Sequence, residues 1–282
     1  MKQIILLFLL YGKMAWPQVE SGTVIFVHFS QNDVTMSADS RTNLSTGEHN
    51  DNECKLSAFG DKFVFSMAGV VKQTAKENAQ GSWGGHAIAR RIWESESKIE
   101  TDAEKLVSAV SAKWVTEMEK IYKDPKFMRG HVREAPGVEV LANAFFAATD
   151  KIGISAKAVN IGFDLPLFNR TGWSVRFVND IPESIPQNSW RAGGHGEIIT
   201  EFMAPPPISQ RAVPFAKEFR TVNPILGPRS REQTASMAMK LIELSVELHP
   251  QRDELGLPVD VLQLQRGTGV LWIARKVNCP EN

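Results

Sequence analysis

The chain has 282 residues, and its hydrophobic content of 43% and charged content of 23% are typical of a globular protein. Its 32 lysines and arginines balance 32 aspartates and glutamates, so the formal net charge is zero and indicates no general attraction to nucleic acid or to an anionic membrane. Cys54 and Cys279 fit no zinc-binding spacing, and whether they pair in a disulfide is open because sequence does not show that two cysteines meet.

Residues 1–22 are predicted to be a leader that the mature protein lacks. A basic residue near the start precedes an apolar run at 4–10, which is the pattern of a secretory signal and is too short to span a bilayer comfortably. A buried first strand is the alternative interpretation of this run. We expect signal cleavage near residues 15–18 and then loss of a short propeptide that ends at Gly22. The mature protein is then one exported domain, periplasmic or secreted, over 23–282, with no association with a membrane.

The first half of the chain is predicted to contain two strand pairs followed by helices. Alternating or continuous apolar residues around polar turns predict the strands, and glycine clusters mark the ends of helices. The predicted elements are strands at 23–30 and 34–39, a loop at 42–53, strands at 55–59 and 62–68, a helix that starts after Gly69 and ends at 81–85, and a second helix at about 86–97.

The second half is predicted to contain further helices and two more strand pairs. Capping-box patterns at 101–104 and 230–233 predict two helix starts, and the apolar residues that follow each have helical spacing typical of a buried face. The predicted elements are a helix from about 101, a loop at 124–137, strands at 138–148 and 152–159, a helix within 190–203, a helix to about 248, and strands at 259–264 and 269–274. This order predicts an α+β fold with two mainly antiparallel sheets between helical layers.

Four residues at fixed offsets carry the chemical signal of the chain. Asp39 lies 16 residues after Thr23, Lys55 lies 16 after Asp39, and Gly69 lies 14 after Lys55. A threonine that becomes the first residue after processing carries a nucleophilic hydroxyl and a free α-amine that can accept the hydroxyl proton. A neighbouring lysine and aspartate supply the charge that such a site needs. Taken singly, these are also an ordinary strand threonine, a surface ion pair and a turn glycine.

The segments around these residues resemble the proteasome β-subunit and its bacterial protease relative. The resemblance rests on Gly22-Thr23-Val-Ile-Phe, Ser-Ala-Asp39-Ser-Arg41, Lys55 and Ser-Met-Ala-Gly69, and it covers most of residues 22–80. It weakens through the middle and returns at Phe145–Ser155 and at Arg252-Asp253-x-x-Gly256. It implies the four-layer αββα sandwich of the N-terminal-nucleophile hydrolases.

The resemblance also implies a role for each matched residue. Thr23 is the expected nucleophile, and Lys55, held by Asp39, is expected on a strand that faces it. The backbone N–H of Gly69 is expected to bind the oxyanion at a strand-to-helix junction, where the helix N-terminus adds positive potential. Arg41 matches a supporting arginine, and Asp253 matches a late acidic residue near the terminal threonine.

Two positions depart from the family pattern. Glu197 stands where the family has a serine that binds the terminal amine, and Gly256 stands where a second serine is expected. Glu197 can replace one acceptor, but its charge would raise the pKa of the amine and weaken that base. An extra residue in the first hairpin would instead align Gly22 with the first position of the family, and the chain would then be a non-catalytic relative.

Two hypotheses remain from the sequence. The first is an exported threonine-type hydrolase of a peptide or another small amide, with Thr23, Asp39, Lys55, Gly69 and Asp253 in the site and with no metal or organic cofactor. The second is a non-catalytic protein of the same fold that serves as a binding or assembly subunit. The resemblance implies ring assembly, so a homo-oligomer is possible in either case.

Overall fold

The computed structural model describes residues between Gln18 and Cys279. The described residues are 18–21, 23–44, 49–51, 53–70, 72–74, 83–124, 137–165, 176–179, 182–203, 230–250, 255–277 and 279. The predicted signal segment before Gln18 and the candidate residue Asp253 lie outside this part of the chain.

The described strands form three sheets in which every pairing is antiparallel. The strands are β1 (Gln18–Ser21), β2 (Val24–Phe29), β3 (Asp33–Ala38), β4 (Thr42–Leu44), β5 (His49–Asn50), β6 (Leu56–Phe59), β7 (Phe63–Gly69), β8 (Lys72–Thr74), β9 (Trp83–Gly84), β10 (Gly137–Thr149), β11 (Ile154–Leu165), β12 (Arg176–Asn179), β13 (Glu183–Ser184), β14 (Ser189–Gly194), β15 (Asp260–Gln265) and β16 (Gly269–Ala274). The first sheet has the order β14-β2-β3-β15-β16, the second β12-β11-β10-β7-β6 with β13 also paired to β11, and the third β5-β4-β1-β8-β9.

Four described helices accompany the sheets, and their ends follow local capping chemistry. They are α1 (Gly85–Glu96), α2 (Ala103–Tyr122), α3 (Gly196–Met203) and α4 (Arg231–Leu248). The side chain of Asp102 accepts a hydrogen bond from the N–H of Lys105 and caps α2. The predicted capping box at the start of α4 is confirmed, with reciprocal bonds between Ser230 and Gln233. None of the described helices is long and apolar enough to cross a membrane.

The buried side chains fall into three clusters. One cluster joins α1 and α2 to β7 and β10 of the second sheet, with Trp114 and Phe146 at its centre. A second joins α3 and α4 to β2 and β15 of the first sheet. The third joins the inner faces of the first and second sheets, where Ile25 and Phe145 are buried. The five residues predicted as the buried stripe of α2 are all buried, namely Leu106, Val107, Val110, Trp114 and Met118.

Three local predictions were wrong. The residue that caps α2 is Asp102, so the capping box predicted from Thr101 does not form. Strands β4 and β5 occupy part of the predicted loop at 42–53. The helix predicted within 190–203 is present as α3, but residues 189–194 before it form the strand β14, which was not predicted. No helix starts directly after Gly69, because residues 72–74 continue as β8 and pair with β1. In the strand cases, pairing with a distant strand outweighs the local propensity.

Candidate active site

Thr23 and Asp39 are brought together by the first hairpin. Strands β2 and β3 pair with Ile25 opposite Ala38, so continuing this register sets Asp39 beside Val24. The N–H of Asp39 donates to the carbonyl of Val24 at 3.3 Å, which extends the ladder to the end of the hairpin. The buried hydroxyl of Thr23 then donates to Oδ1 of Asp39 at 2.5 Å. The spacing of 16 residues is therefore the length of a hairpin whose ends meet.

The carboxylate of Asp39 is the centre of the site because five donors converge on it. Oδ1 accepts from the hydroxyl of Thr23, from the N–H of Val24 at 2.9 Å and from Nζ of Lys55 at 3.0 Å. Oδ2 accepts from the N–H of Arg41 at 3.1 Å and from the N–H of Gly256 at 3.2 Å. A buried charge is stable only when it is hydrogen-bonded in this way, so these donors fix the carboxylate in one orientation.

Lys55 reaches the same oxygen as Thr23 from the other side of the site. The residue directly precedes β6, so the prediction that it lies on a strand was wrong by one position. Its ammonium donates to Asp39 and to the carbonyl of Arg41, and its side chain is 1% exposed. Burial lowers the pKa of Lys55, and the charge of Asp39 opposes that change. The ammonium of Lys55 is therefore easier to deprotonate than that of a surface lysine.

Gly69 ends β7 and pairs with Ala142 of β10. Its φ is +92°, and a Cβ on it would collide with the carbonyl oxygen of Leu141. The backbone at this position therefore requires glycine. The predicted contribution of a helix N-terminus to an oxyanion site at Gly69 is not supported, because β8 rather than a helix follows.

Arg41 contributes to the site through its backbone, while its guanidinium is engaged elsewhere. Its Nε and Nη2 bond the two oxygens of Asp51 at 2.5 and 2.9 Å, and this arginine holds the pKa of Asp51 below its usual value. Gly256 lies against this pair. A Cβ on Gly256 would come within 2.8 Å of Nε of Arg41, so the serine that the family pattern expects there does not fit.

For two other predicted site residues, Glu197 and Asp253, the structure does not describe the side chain. Glu197 is the second residue of α3, and its side chain lies outside the described part of the structure. Asp253 is outside the described residues altogether. The backbone N–H of His195 donates to the carbonyl of Thr23 at 2.9 Å.

Sequence reasoning missed two groups of residues at the site. Gly194, with a φ of +66°, lies so close to Thr23 that a Cβ would collide with the carbonyl oxygen of Thr23. Its N–H donates to Oδ1 of Asn143 at 2.8 Å. A second buried pair, Lys276 with Asp260, lies on the opposite side of Asp39, and its spacing of 16 residues was the only signal that could have drawn attention to it.

An open cavity of about 720 Å³ adjoins the glycine-rich end of β14. Its lining includes Asn143, Trp190, Arg191, Gly194 and Thr200, so the cavity reaches the residue that contacts Thr23. Among the described residues, no group of three or more histidine, cysteine, aspartate or glutamate side chains is arranged to hold a metal ion.

Comparison with known proteins adds no further identification of the site. The chain matches no protein-family model and has no significant match among curated proteins.

Proposed function

We propose that the chain is a threonine-type amide or peptide hydrolase, with Thr23 as its N-terminal nucleophile once residues 1–22 are removed. The single observation that carries the proposal is the bonding of the Thr23 hydroxyl to a carboxylate oxygen that the ammonium of Lys55 also binds. A threonine at the end of a strand has no structural need for a buried lysine–aspartate pair. Such pairs are costly to bury, and here the buried pair shares its carboxylate oxygen with a hydroxyl that can act as a nucleophile.

The layer order of the fold supports this proposal. The three buried clusters join helices to sheet, sheet to sheet, and sheet to helices, which is the order expected of a four-layer αββα sandwich. The disulfide between Cys54 and Cys279 supports export, because disulfides persist in oxidising compartments.

The segment before Thr23 supports a substrate that binds as an extended chain. Strand β1 ends two residues before Thr23 and pairs with β4 on one side and β8 on the other. Both edges of this segment are therefore held by backbone hydrogen bonds, which is a general way to bind an extended peptide. Thr23 is fully buried while this strand is in place, so a second substrate needs its removal.

The proposed reaction begins as self-cleavage. The hydroxyl oxygen of Thr23 attacks the carbonyl carbon of Gly22, the hydroxyl proton is transferred to the amide nitrogen of Thr23, and the Gly22–Thr23 C–N bond breaks to leave an ester and the free neutral amine of Thr23. Water then hydrolyses the ester, releases the leader as a carboxylic acid and regenerates the hydroxyl. The free amine of Thr23 is thereafter the base that activates the same hydroxyl against an external amide. Lys55 stabilises negative charge that develops on the nucleophile.

Mass determination of the purified chain tests the proposal. We expect a mature protein that begins at Thr23, and a Thr23→Ala variant that retains the leader up to the processing site of the signal. Thr35→Ala is the matched control, because Thr35 is a buried threonine of the same hairpin that bonds Gln263 instead. Cleavage at Gly22–Thr23 in the Thr23→Ala variant would refute a nucleophilic role for Thr23.

A non-catalytic binding or assembly subunit is the second candidate. The observation that favours it is Gly256, where the packing of Arg41 excludes the hydroxyl that the resemblance leads one to expect. A wild-type chain that keeps Gly22-Thr23 intact, with β1 still in the third sheet, would support this candidate over the enzyme.

A further inference from the structure

A second lysine–aspartate pair is buried beside the candidate active site. Nζ of Lys276 lies 2.8 Å from Oδ2 of Asp260, with side chains 4% and 1% exposed. The backbone N–H of Lys276 also donates to Oδ1 of Asp260 at 2.9 Å. Asp260 pairs with Ala38 across β3 and β15, so it lies next to the residue that precedes Asp39.

The ammonium of Lys276 contacts the segments that carry both members of the first pair. It bonds Oγ of Ser40 at 3.0 Å, and Ser40 directly follows Asp39. It also donates to the backbone carbonyl of Glu53, two residues before Lys55. The ammonium of Lys276 thus contacts three chain segments, at Ser40, Glu53 and Asp260.

A disulfide closes the same arrangement covalently. Cys54 directly precedes Lys55, and Cys279 lies three residues after Lys276. The bond joins residues 225 positions apart, the segment after β16 and the segment before β6. The hydrogen bond from Lys276 to the carbonyl of Glu53 joins the same two segments.

We propose that Lys276 is a positioning residue that holds Asp39 and Lys55 in register with Thr23, and that the Cys54–Cys279 disulfide locks the segment that carries it. This inference rests on the function proposed for Thr23, because the register matters only if the hydroxyl reacts. Lys276 itself does not touch Thr23 in the described contacts, and it acts through Ser40 and Glu53.

The electrostatics of the site agree with this role. The charged groups that face Lys55 are Asp39 and Glu53, which raise its pKa, and Lys276, which lowers it. Burial is the larger cause of the lowered pKa of Lys55. Asp260 lies behind Lys276 and compensates its charge. Loss of the Lys276 charge is therefore expected to move the titration of Lys55 to higher pH.

The first test separates positioning from catalysis by using the full chain with Thr23→Ala, which cannot cleave itself. The titration of Lys55 is followed by NMR of ¹³C-labelled lysine side chains and assigned with Lys55→Met. We expect Lys276→Met to move this titration to higher pH, and Lys276→Arg, which keeps the charge, to leave it near the wild-type position. Lys113→Met, which removes an exposed partner of Glu96, is the control and should leave it unchanged. An unchanged titration in Lys276→Met, with or without lower thermal stability, would overturn the proposal.

The second test measures self-cleavage by mass during cell-free synthesis of the full chain under oxidising conditions. We expect Lys276→Met to slow cleavage at least about tenfold, because small misplacement of reacting groups has effects of this size. Lys276→Met with Asp260→Asn keeps the site neutral if the single variant fails to fold, and it should be slow as well. A wild-type rate in either variant would overturn the positioning role. If the wild-type chain never cleaves itself but Lys276→Met still shifts the titration of Lys55, the proposed function is refuted and the positioning role of Lys276 is not.

Reduction of the disulfide provides a third readout. A dithiol reagent transfers two electrons and two protons to the Cys54–Cys279 bond, which gives two thiols and the cyclic disulfide of the reagent. We expect the reduced chain to cleave at least about tenfold more slowly and to recover after reoxidation. A variant with Cys54→Ser and Cys279→Ser should be slow at all times and insensitive to the dithiol. Equal rates in the oxidised and reduced chains, with reduction verified by mass, would overturn the locking role.

Discussion

The two buried lysine–aspartate pairs of this protein have the same residues and the same spacing but different surroundings. Asp39 divides its oxygens among a hydroxyl, an ammonium and three backbone N–H groups. Asp260 instead receives both the ammonium and the backbone N–H of Lys276. A buried lysine–aspartate pair therefore does not by itself indicate a reactive site. What distinguishes the first pair is the hydroxyl of Thr23 on the shared oxygen.

The difference follows from where each aspartate sits in the first sheet. Asp39 comes directly after β3, at the end of a hairpin whose other end is Thr23. Asp260 begins β15 on the far side of β3, where its neighbour is the chain after β16. The first pair therefore contacts the hydroxyl of Thr23, whereas the second pair lies beside the disulfide-bonded segment that follows β16.

The largest predicted effect is the loss of one lysine from the first pair. Lys55→Met leaves the carboxylate of Asp39 buried without its cation, which is expected to lower the free energy of unfolding by about 3–5 kcal/mol. The same variant is expected to lower self-cleavage at least about 100-fold, because the charge that stabilises the nucleophile is gone. Denaturant unfolding and the mass of the N-terminus measure the two effects.

A double variant sharpens this comparison. Lys55→Met with Asp39→Asn removes both charges, so it should regain most of the lost stability without regaining cleavage. The matched double variant of the second pair, Lys276→Met with Asp260→Asn, should also be stable, and it should retain more residual cleavage than the first. Equal cleavage in the two double variants would show that the pairs do not differ in function.

Substitutions at two glycines are expected to have smaller effects on stability, and only one of these glycines contacts the nucleophile. Gly194→Ala forces a Cβ against the carbonyl of Thr23, and Gly69→Ala forces one against the carbonyl of Leu141. Each change combines a positive φ with a steric clash, so each is expected to cost about 2–4 kcal/mol of stability. We expect only Gly194→Ala to slow cleavage beyond what its loss of stability explains.

Gly267→Ala is the control for the backbone term of the glycine variants. Gly267 has a φ of +74° with no atom within 4 Å of an added Cβ, so this variant should cost only about 1 kcal/mol. If Gly194→Ala costs no more than Gly267→Ala, the close approach of β14 to Thr23 does not constrain the nucleophile.

Much of the fold could be predicted because its strongest signals are local. Each of these signals depends on residues that are close in the sequence. They are the hairpin around Asn32, the buried stripe of α2 and the capping box of Ser230. The strands that were missed, such as β4 and β14, are short or glycine-rich and exist through partners far along the chain. Local propensity carries little information about such pairings.

The site was predictable to the extent that the hairpin fixes it. The offset from Thr23 to Asp39 is set by the register of β2 and β3, so their contact follows from a local pattern. Lys276 and Gly194 join the site from 253 and 171 residues beyond Thr23, through the pairing of β15 with β3 and of β14 with β2. No spacing rule in a single sequence specifies those approaches.

The last predicted effect concerns pH and lies in the helix layer that packs on the second sheet, away from Thr23. His86 on α1 packs edge-on against Phe65, bonds Oγ of Ser57 at 2.7 Å, and burial lowers its pKa from 6.5 to about 4. The unfolded chain therefore binds this proton near pH 6.5, whereas the folded chain binds it only near pH 4. Stability from this group is complete above pH 6.5 and falls as pH decreases towards 4, by at most about 3 kcal/mol. The loss is smaller than this because the side chain of His86 is only partly buried.

Unfolding by urea at several pH values between 4 and 7 measures this effect. We expect His86→Phe to flatten the pH dependence in this window, because Phe keeps the packing against Phe65 but binds no proton. The second lysine–aspartate pair gives the contrast: the double variant Lys276→Met with Asp260→Asn leaves no unpaired carboxylate, so it should change the absolute stability while the slope that His86 produces persists. If the pH dependence of stability persists in His86→Phe, the acid sensitivity belongs to another group.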